Sequence, residues 1–268
     1  MNYSATIAWR TALAHLMTLG HEVAPRGKPT LERPSRQDHI DMRFPVVQSL
    51  PRAMNYRFMA AEAYWILSGS SELVGLTPWN SRMAEFSDDG ETLFGAYGPP
   101  ILAQLDHIVS RLLKDECSRQ AVLTIWRQNP PATKDTPCTV AVSFMIRNGL
   151  LDAHVFMRSN DVWLGWVYDV FNFCMVAHLV CCRVNAGQNL DGLSLVGPIS
   201  PGTLYLTAAS SHLYKEHWEG AQQCATESGA WTGASPTPVE LYIDEQALMT
   251  QLRDLRDTSP GHHLRWWE

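Results

Sequence analysis

The sequence predicts an α+β fold, and three observations carry that prediction. Leu102, Leu105, Ile108, Val109, Leu112 and Leu113 recur at helical spacing and mark an amphipathic helix. Residues 139–147 and 150–158 are two β-rich runs joined by Asn148-Gly149, a dipeptide that favours a two-residue hairpin turn. Residues 167–183 are almost wholly apolar and read as a helix buried in the core. Helices mixed with mostly antiparallel strands imply a sheet packed by helices.

The remaining elements follow in chain order. Ile7, Leu13, Leu16 and Met17 predict a first helix that Gly20 stops. Residues 21–42, with Pro25, Pro29 and Pro34, read as a long loop of the kind that often carries function. Phe58, Ala61, Trp65 and Ile66 share one face of a helix over about residues 53–67, with Glu62 inside its apolar pattern. Residues 78–100 are turn-rich. Residues 121–126 and 203–207 predict strands, residues 211–218 a helical turn, and residues 244–256 a C-terminal helix. There is no internal repeat or low-complexity segment, and a single domain over residues 1–268 is expected.

Composition excludes several classes. A hydrophobic content of 46% supplies a sizeable core and argues against a disordered chain. A net charge of −6 argues against binding of polymeric nucleic acid, yet a few local arginines suffice for a small phosphorylated ligand. No stretch approaches the roughly 20 uninterrupted apolar residues of a membrane span. Arg10 and His15 interrupt the N-terminal apolar stretch, which reads as an amphipathic helix rather than a signal peptide. A soluble, cytoplasmic protein is the expectation. The six cysteines show no Cys-x-x-Cys spacing, so no metal site or disulfide framework is expected.

Cys138 follows a proline-rich loop and begins a strand. An arbitrary cysteine is most often a small buried hydrophobe; it becomes a nucleophile where cationic groups lower its pKa. Its neighbours are what single it out. Thr136-Pro137-Cys138 is followed by Arg158-Ser159-Asn160-Asp161, then Leu164-Gly165, then Asp169. This block resembles the thymidylate synthase family, whose signature is a Pro-Cys nucleophile followed by Arg-Ser-x-Asp-x-x-Leu-Gly-x-Pro-Phe-Asn, without a gap. Glu62 to Gly69, Trp79-Asn80, Gly95 to Gly98, Arg119 before Trp126, and His212-Leu213-Tyr214 with His217 resemble further family segments in family order.

The resemblance implies a thymidylate synthase-like fold, a sheet-mediated homodimer and a folate-dependent chemistry. Cys138 would add to C6 of a pyrimidine nucleotide, and C5 would attack the one-carbon unit of 5,10-methylenetetrahydrofolate. Arg158, Ser159 and Arg26, with Arg33 competing for Arg26's role, would hold the phosphate, joined by Arg119 from the second subunit. Arg158 would also help keep Cys138 ionised. Asp161, Trp79 and Gly165 would bind the folate, His212 and Tyr214 the sugar hydroxyl, and Glu62 would organise proton transfer.

Departures from the family pattern refine this. Asp169 stands where thymidylate synthases place the asparagine that reads uracil. A carboxyl group suits cytosine, which presents N3 as acceptor and its 4-amino group as donor; a helix N-cap is the alternative use of such an aspartate. The same exchange characterises the cytidylate hydroxymethylase branch, so dCMP 5-hydroxymethylation is implied. The alternatives are 5-methylation with hydride transfer, use of CMP, and an inactive nucleotide-binding family member. Relatives of this kind occur in phages, so an origin in a phage-infected host cytoplasm is compatible. Thr139, Gln120 and Ala209-Ser210 also depart from the pattern, and Trp266-Trp267 replace the family's short apolar tail.

Overall fold

The computed structural model describes residues 3–49, 51–191, 197–226 and 244–258, and a seven-stranded mixed sheet organises them. The strand order is β1 (His21–Val23), β2 (Thr30–Asp41), β7 (Ser200–Tyr214), β5 (Leu150–Met157), β4 (Thr139–Arg147) and β3 (Val122–Thr124). β7 is antiparallel to β2 and parallel to β5. The short β6 (Asn160–Asp161) runs beside β7 beyond the end of β5, opposite Ser211 and His212. The chain therefore leaves the sheet and rejoins it at Arg158 and Ser159, and that break positions the site described below.

The hairpin joining β4 to β5 forms as the sequence predicts. Asn148 and Gly149 have φ values of 53° and 73°, the paired left-handed conformations that match the twist of the flanking strands. Two expectations fail. Residues 21–42 are β1, a short turn and the 12-residue β2 rather than a long loop. Pairing with β7 overrides the prolines: β1 covers only Thr30 to Glu32 of β2, so Pro34 lies where the strand borders the sheet's edge and a missing donor is tolerated. Residues 211–214 continue β7 rather than starting a helical turn. Ser211 and Leu213 point inward while His212 and Tyr214 are half-buried, the period of two that defines a strand.

Among the described residues there are six helices, α1 (Ala5–Leu19), α2 (Tyr56–Leu67), α3 (Gly98–Lys114), α4 (Trp166–Asp191), α5 (Trp218–Thr226) and α6 (Glu245–Thr258); α1, α3 and α4 pack on the sheet, and α2, α5 and α6 pack on those helices. The Asn55 side chain caps α2 by accepting the Phe58 N–H, satisfying one of the orphan donors of the first turn. α4 runs through the centre, against α2, α3, α6 and the core face of β5 and β7. Its segment Trp166–Gln188 is long and apolar enough to cross a membrane, which the criterion of an uninterrupted apolar run passes over; 83% of the qualifying window is buried inside the fold. Val167, Val170, Phe173, Cys174, Val176, Leu179 and Val180 are at most 1% exposed. A helix surrounded on all sides is apolar on all sides, and that accounts for its composition.

Candidate active site

Cys138 is the last residue before β4, and Thr139 opposite Met157 begins the β4–β5 ladder. The Arg158 backbone N–H donates to the Cys138 carbonyl at 2.8 Å, so the residue at the break after β5 is fixed beside the cysteine. Its guanidinium staples the turn: Nε donates to the Pro137 carbonyl and Nη2 to the Thr136 carbonyl, both at 2.9 Å. Nη2 also lies 3.8 Å from the Cys138 Sγ.

That contact favours the thiolate, in the direction the sequence reading expects, but other groups oppose it. Burial pushes the Cys138 thiol up to about 11; Arg158 pulls it down, and Asp169, Asp135 and Asp161 push it up again. The desolvation and the carboxylates outweigh one guanidinium, so burial keeps Cys138 toward its thiol form. Residues brought in from other parts of the chain cause this, and spacing around Cys138 does not reveal it.

A cavity of about 150 Å³ opens beside the thiol, and Glu62, Asp135, Asp169, Asn172 and Tyr97 are among the residues lining it. Two acids approach one another there. Glu62 comes from α2, where burial raises it from 4.5 to about 7 and a hydrogen bond from Asn172 partly offsets the shift. The Asn172 Nδ2 donates to Glu62 Oε2 at 2.7 Å. Asp169 lies in the first turn of α4, where burial, then the charge of Glu62, holds its carboxyl well above the usual range; Asn160 acts in the opposite direction. The Asn160 Nδ2 donates to Asp169 Oδ2 at 2.9 Å. A Cβ at Gly165 would lie 3.2 Å from that same oxygen, close enough that the carboxyl would have to give way slightly.

Asp161 shapes the approach to α4. Its Oδ1 accepts the Trp163 and Leu164 N–H groups at 2.8 and 2.9 Å, and its Oδ2 is buried without a partner. Four more buried polar atoms in this region also lack partners: Asn160 Oδ1, Asn172 Oδ1, Thr139 Oγ1 and His212 Nδ1. Buried polar atoms are normally paired, so a cluster of orphans marks a place that a ligand or water completes.

The other sequence-predicted residues divide into two groups. His212 and Tyr214 sit at the end of β7 in edge-to-face contact, and Arg26 Nη2 donates to the Tyr214 hydroxyl at 3.4 Å. Arg26 itself is exposed and in the left-handed conformation, with φ 54°. Ser159 is half-buried at the break between β5 and β6. Trp79 is half-buried under the guanidinium groups of Arg57 and Arg256, 4.7 and 5.7 Å from its ring. Arg33 lies elsewhere: it donates to the Leu19 carbonyl and lines a separate groove with His15 and Arg36. Arg119 is exposed and precedes β3, whose Val122 pairs with Ser143. It is thus at the far end of β4 from Cys138, on the order of 20 Å away at about 3.3 Å per strand residue. Trp266 and Trp267 lie outside the described residues.

Sequence reasoning assigns no role to three residues that line the cavity, Asn172, Asp135 and Tyr97, nor to Asn160, which holds Asp169 from behind. Asn172 has a signal, since it follows Asp169 by one helical turn and shares its face. Tyr97, stacked on Phe173 with centroids 5.9 Å apart, lies inside the Gly-x-Tyr-Gly segment but carries no role there. The Asp135 Oδ2 accepts the Gly95 N–H at 2.7 Å, a contact across 40 residues that no local pattern signals. Among the described residues no group of three or more His, Cys, Asp or Glu is arranged to hold a metal ion.

Comparison with known proteins adds an independent line. The profile of the thymidylate synthase family matches residues 8–230. The chain is similar to the deoxyuridylate hydroxymethyltransferase of Bacillus phage SP01, 29% identical over 272 residues, covering 92% of this chain and 65% of that protein. It is similar to the thymidylate synthase of Enterobacteria phage T4, 24% identical over 204 residues, covering 67% of this chain and 65% of that one. A deoxyuridylate hydroxymethyltransferase of Pseudomonas phage M6 is 30% identical over 149 residues, covering 52% of this chain and 42% of the relative. The chain thus spans just under two thirds of the length of the first two relatives.

Proposed function

Because this chain belongs to the thymidylate synthase family, we propose that it is a one-carbon transferase that hydroxymethylates C5 of dCMP. The observation that carries the base assignment is Asp169: a carboxyl at the cavity wall, kept uncharged by burial and by Glu62, with both a donor and an acceptor to offer. The hydroxymethyl outcome draws on the phage deoxyuridylate hydroxymethyltransferases that the chain resembles. Those names also favour a second reading, dUMP as substrate, because a neutral carboxyl with its proton on the other oxygen suits uracil.

The co-substrate, 5,10-methylenetetrahydrofolate, supplies an electrophilic one-carbon unit. The buried, unpartnered Asp161 Oδ2 fits the N–H donors of its pterin ring, and Trp79 is the aromatic residue that the family resemblance assigns to the folate. Cys138 loses its proton as the nucleotide binds, and Sγ bonds to C6, which makes C5 a nucleophile. Arg158, with Arg26 and Ser159, holds the phosphate; His212 and Tyr214 hold the sugar. After C5 has gained the one-carbon unit, loss of the C5 proton breaks the bond between that carbon and the folate nitrogen, which releases tetrahydrofolate and leaves an exocyclic methylene to which water adds. The Sγ–C6 bond then breaks, leaving a 5-hydroxymethyl nucleotide.

Glu62 manages the protons, and its titration is visible in two ways. Activity that needs ionised Glu62 should rise through about pH 7, and Glu62→Gln should remove that limb and lower kcat by about 10²–10³-fold. A raised native pKa also means that the folded chain keeps a proton that the unfolded chain has lost. On this group's account stability falls between about pH 4.5 and 7, and Glu62→Gln should abolish that fall. A pH–rate limb that persists in Glu62→Gln would assign the titration to another group.

The active unit in this reading is a homodimer, with Arg119 of each subunit completing the other's phosphate site. Arg119 is too far from the Cys138 of its own chain, and the sheet face opposite α4 exposes Phe156 and Val122 at 45% and 40%. The function is tested with dCMP, CMP and dUMP, each tritiated at C5, in the presence of the folate. Release from dCMP, a hydroxymethyl product and no dihydrofolate are expected. Stoichiometric dihydrofolate would make the product 5-methyl, faster turnover of dUMP would overturn the dCMP reading, and no release from any of the three would end the enzyme reading.

A further inference from the structure

We propose that Asn160 is a positioning residue that decides which oxygen of Asp169 carries the proton, and through it which pyrimidine the site prefers; this rests on the reading of Asp169 as the group that meets the base. Asn160 is 2% exposed and is held in β6 opposite Ser211. Its Nδ2 donates to Asp169 Oδ2 at 2.9 Å and lies 3.3 Å from the Met157 Sδ. Its own Oδ1 is buried with no partner.

A neutral carboxyl group has one carbonyl oxygen and one hydroxyl. An N–H donor is best met by the carbonyl oxygen, so the amide of Asn160 places the carbonyl at Oδ2 and the hydroxyl at Oδ1. A hydroxyl at Oδ1 donates to an acceptor, which cytosine supplies at N3. The carbonyl at Oδ2 has a second lone pair, which can accept from the 4-amino group. Uracil needs the reverse: a carbonyl facing its N3–H and a hydroxyl donating to O4. With the proton moved to Oδ2, the amide N–H would meet a hydroxyl instead of a carbonyl, and the pairing would weaken.

The amide therefore acts on the base without touching it. Turning it over would place its Oδ1 against Asp169 and favour a hydroxyl at Oδ2, the uracil arrangement. The second Nδ2 hydrogen, directed at Met157 Sδ, opposes that turn, because the amide oxygen would then face the thioether sulfur, acceptor against acceptor. The selectivity so produced is the difference between two hydrogen-bond patterns and not a steric exclusion.

The test measures kcat/KM for dCMP and for dUMP in the wild type, in the near-isosteric Asn160→Leu and in Asn160→Ala. Infrared spectra of the same proteins give the carbonyl stretch of the protonated carboxyl, assigned by its loss in Asp169→Asn. Removing the amide should move the dCMP/dUMP ratio about tenfold toward unity, the effect of one hydrogen bond, and should shift the carbonyl band to higher frequency. Equal losses for both nucleotides, with an unchanged ratio, would reduce Asn160 to a packing role and overturn the proposal; so would an unmoved band. A wild type that prefers dUMP would end the dCMP reading alone: the variants should then prefer dUMP still more, and a ratio that moves toward dCMP would overturn the role of Asn160.

Discussion

Cys138→Ala is expected to abolish tritium release from 5-tritiated dCMP, by at least about 10⁴-fold, the scale of losing a covalent nucleophile. The loss should fall on kcat, with nucleotide binding retained, because Arg158 holds the turn through the Pro137 and Thr136 carbonyls and not through the thiol. Retained release in Cys138→Ala would move the nucleophile elsewhere. The thiol's shift to about 11 adds a condition. The free enzyme should react slowly with iodoacetamide at neutral pH, since alkylation needs the thiolate. The same variant tests the shared site. Mixing Cys138→Ala with Arg119→Ala and allowing subunits to exchange should restore about a quarter of wild-type activity, because half of the dimers then contain one intact site of two. No recovery on mixing would place Arg119 outside the site.

Asp169→Asn is the second large effect: the dCMP/dUMP ratio should fall on the order of 10³-fold, because a site built around hydrogen bonds rejects a base that leaves them unpaired. The amide presents its carbonyl to the N3–H of uracil and its N–H to O4, whereas a neutral acid can present either arrangement to the base. A damaged fold would not mimic this result. The native carboxyl keeps a proton that the unfolded chain loses near 3.8, so its burial costs stability at neutral pH, and the asparagine variant should be at least as stable there. An unchanged base preference in a folded Asp169→Asn would remove the role assigned to this position.

Much of the architecture was legible because local pattern and tertiary packing agree. The Asn148-Gly149 hairpin, the amphipathic α3 and the apolar α4 each combine intrinsic preference with the packing environment that the fold supplies. β2 was not legible. Its prolines signal a loop, and only an extended partner in β7, about 170 residues later, makes it a strand. The end of β7 was misread because His212, Tyr214 and His217 look like a polar helical face, while the inward Ser211 and Leu213 follow a period of two. In the site, the family resemblance singled out Cys138, Arg158 and Asp169. It could not give their charge states, which arise from Glu62, Asp135 and Asn160 converging through the fold, nor the amide partners of the two acids.

α4 has a mechanical meaning beyond its burial. Asp169 and Asn172 stand less than one turn apart on it, about 4.5 Å along the axis; Asn172 holds the Glu62 carboxyl and Asp169 is held by the Asn160 amide. Sliding or rotating this one rod would retune base choice and proton handling together. Its far end is tightly seated: a Cβ at Gly187 would come within 2.6 Å of Leu113 Cδ1 on α3. An alanine at 187 therefore has to displace that leucine side chain or α4 itself, and only the second outcome would reach Asp169 and Asn172.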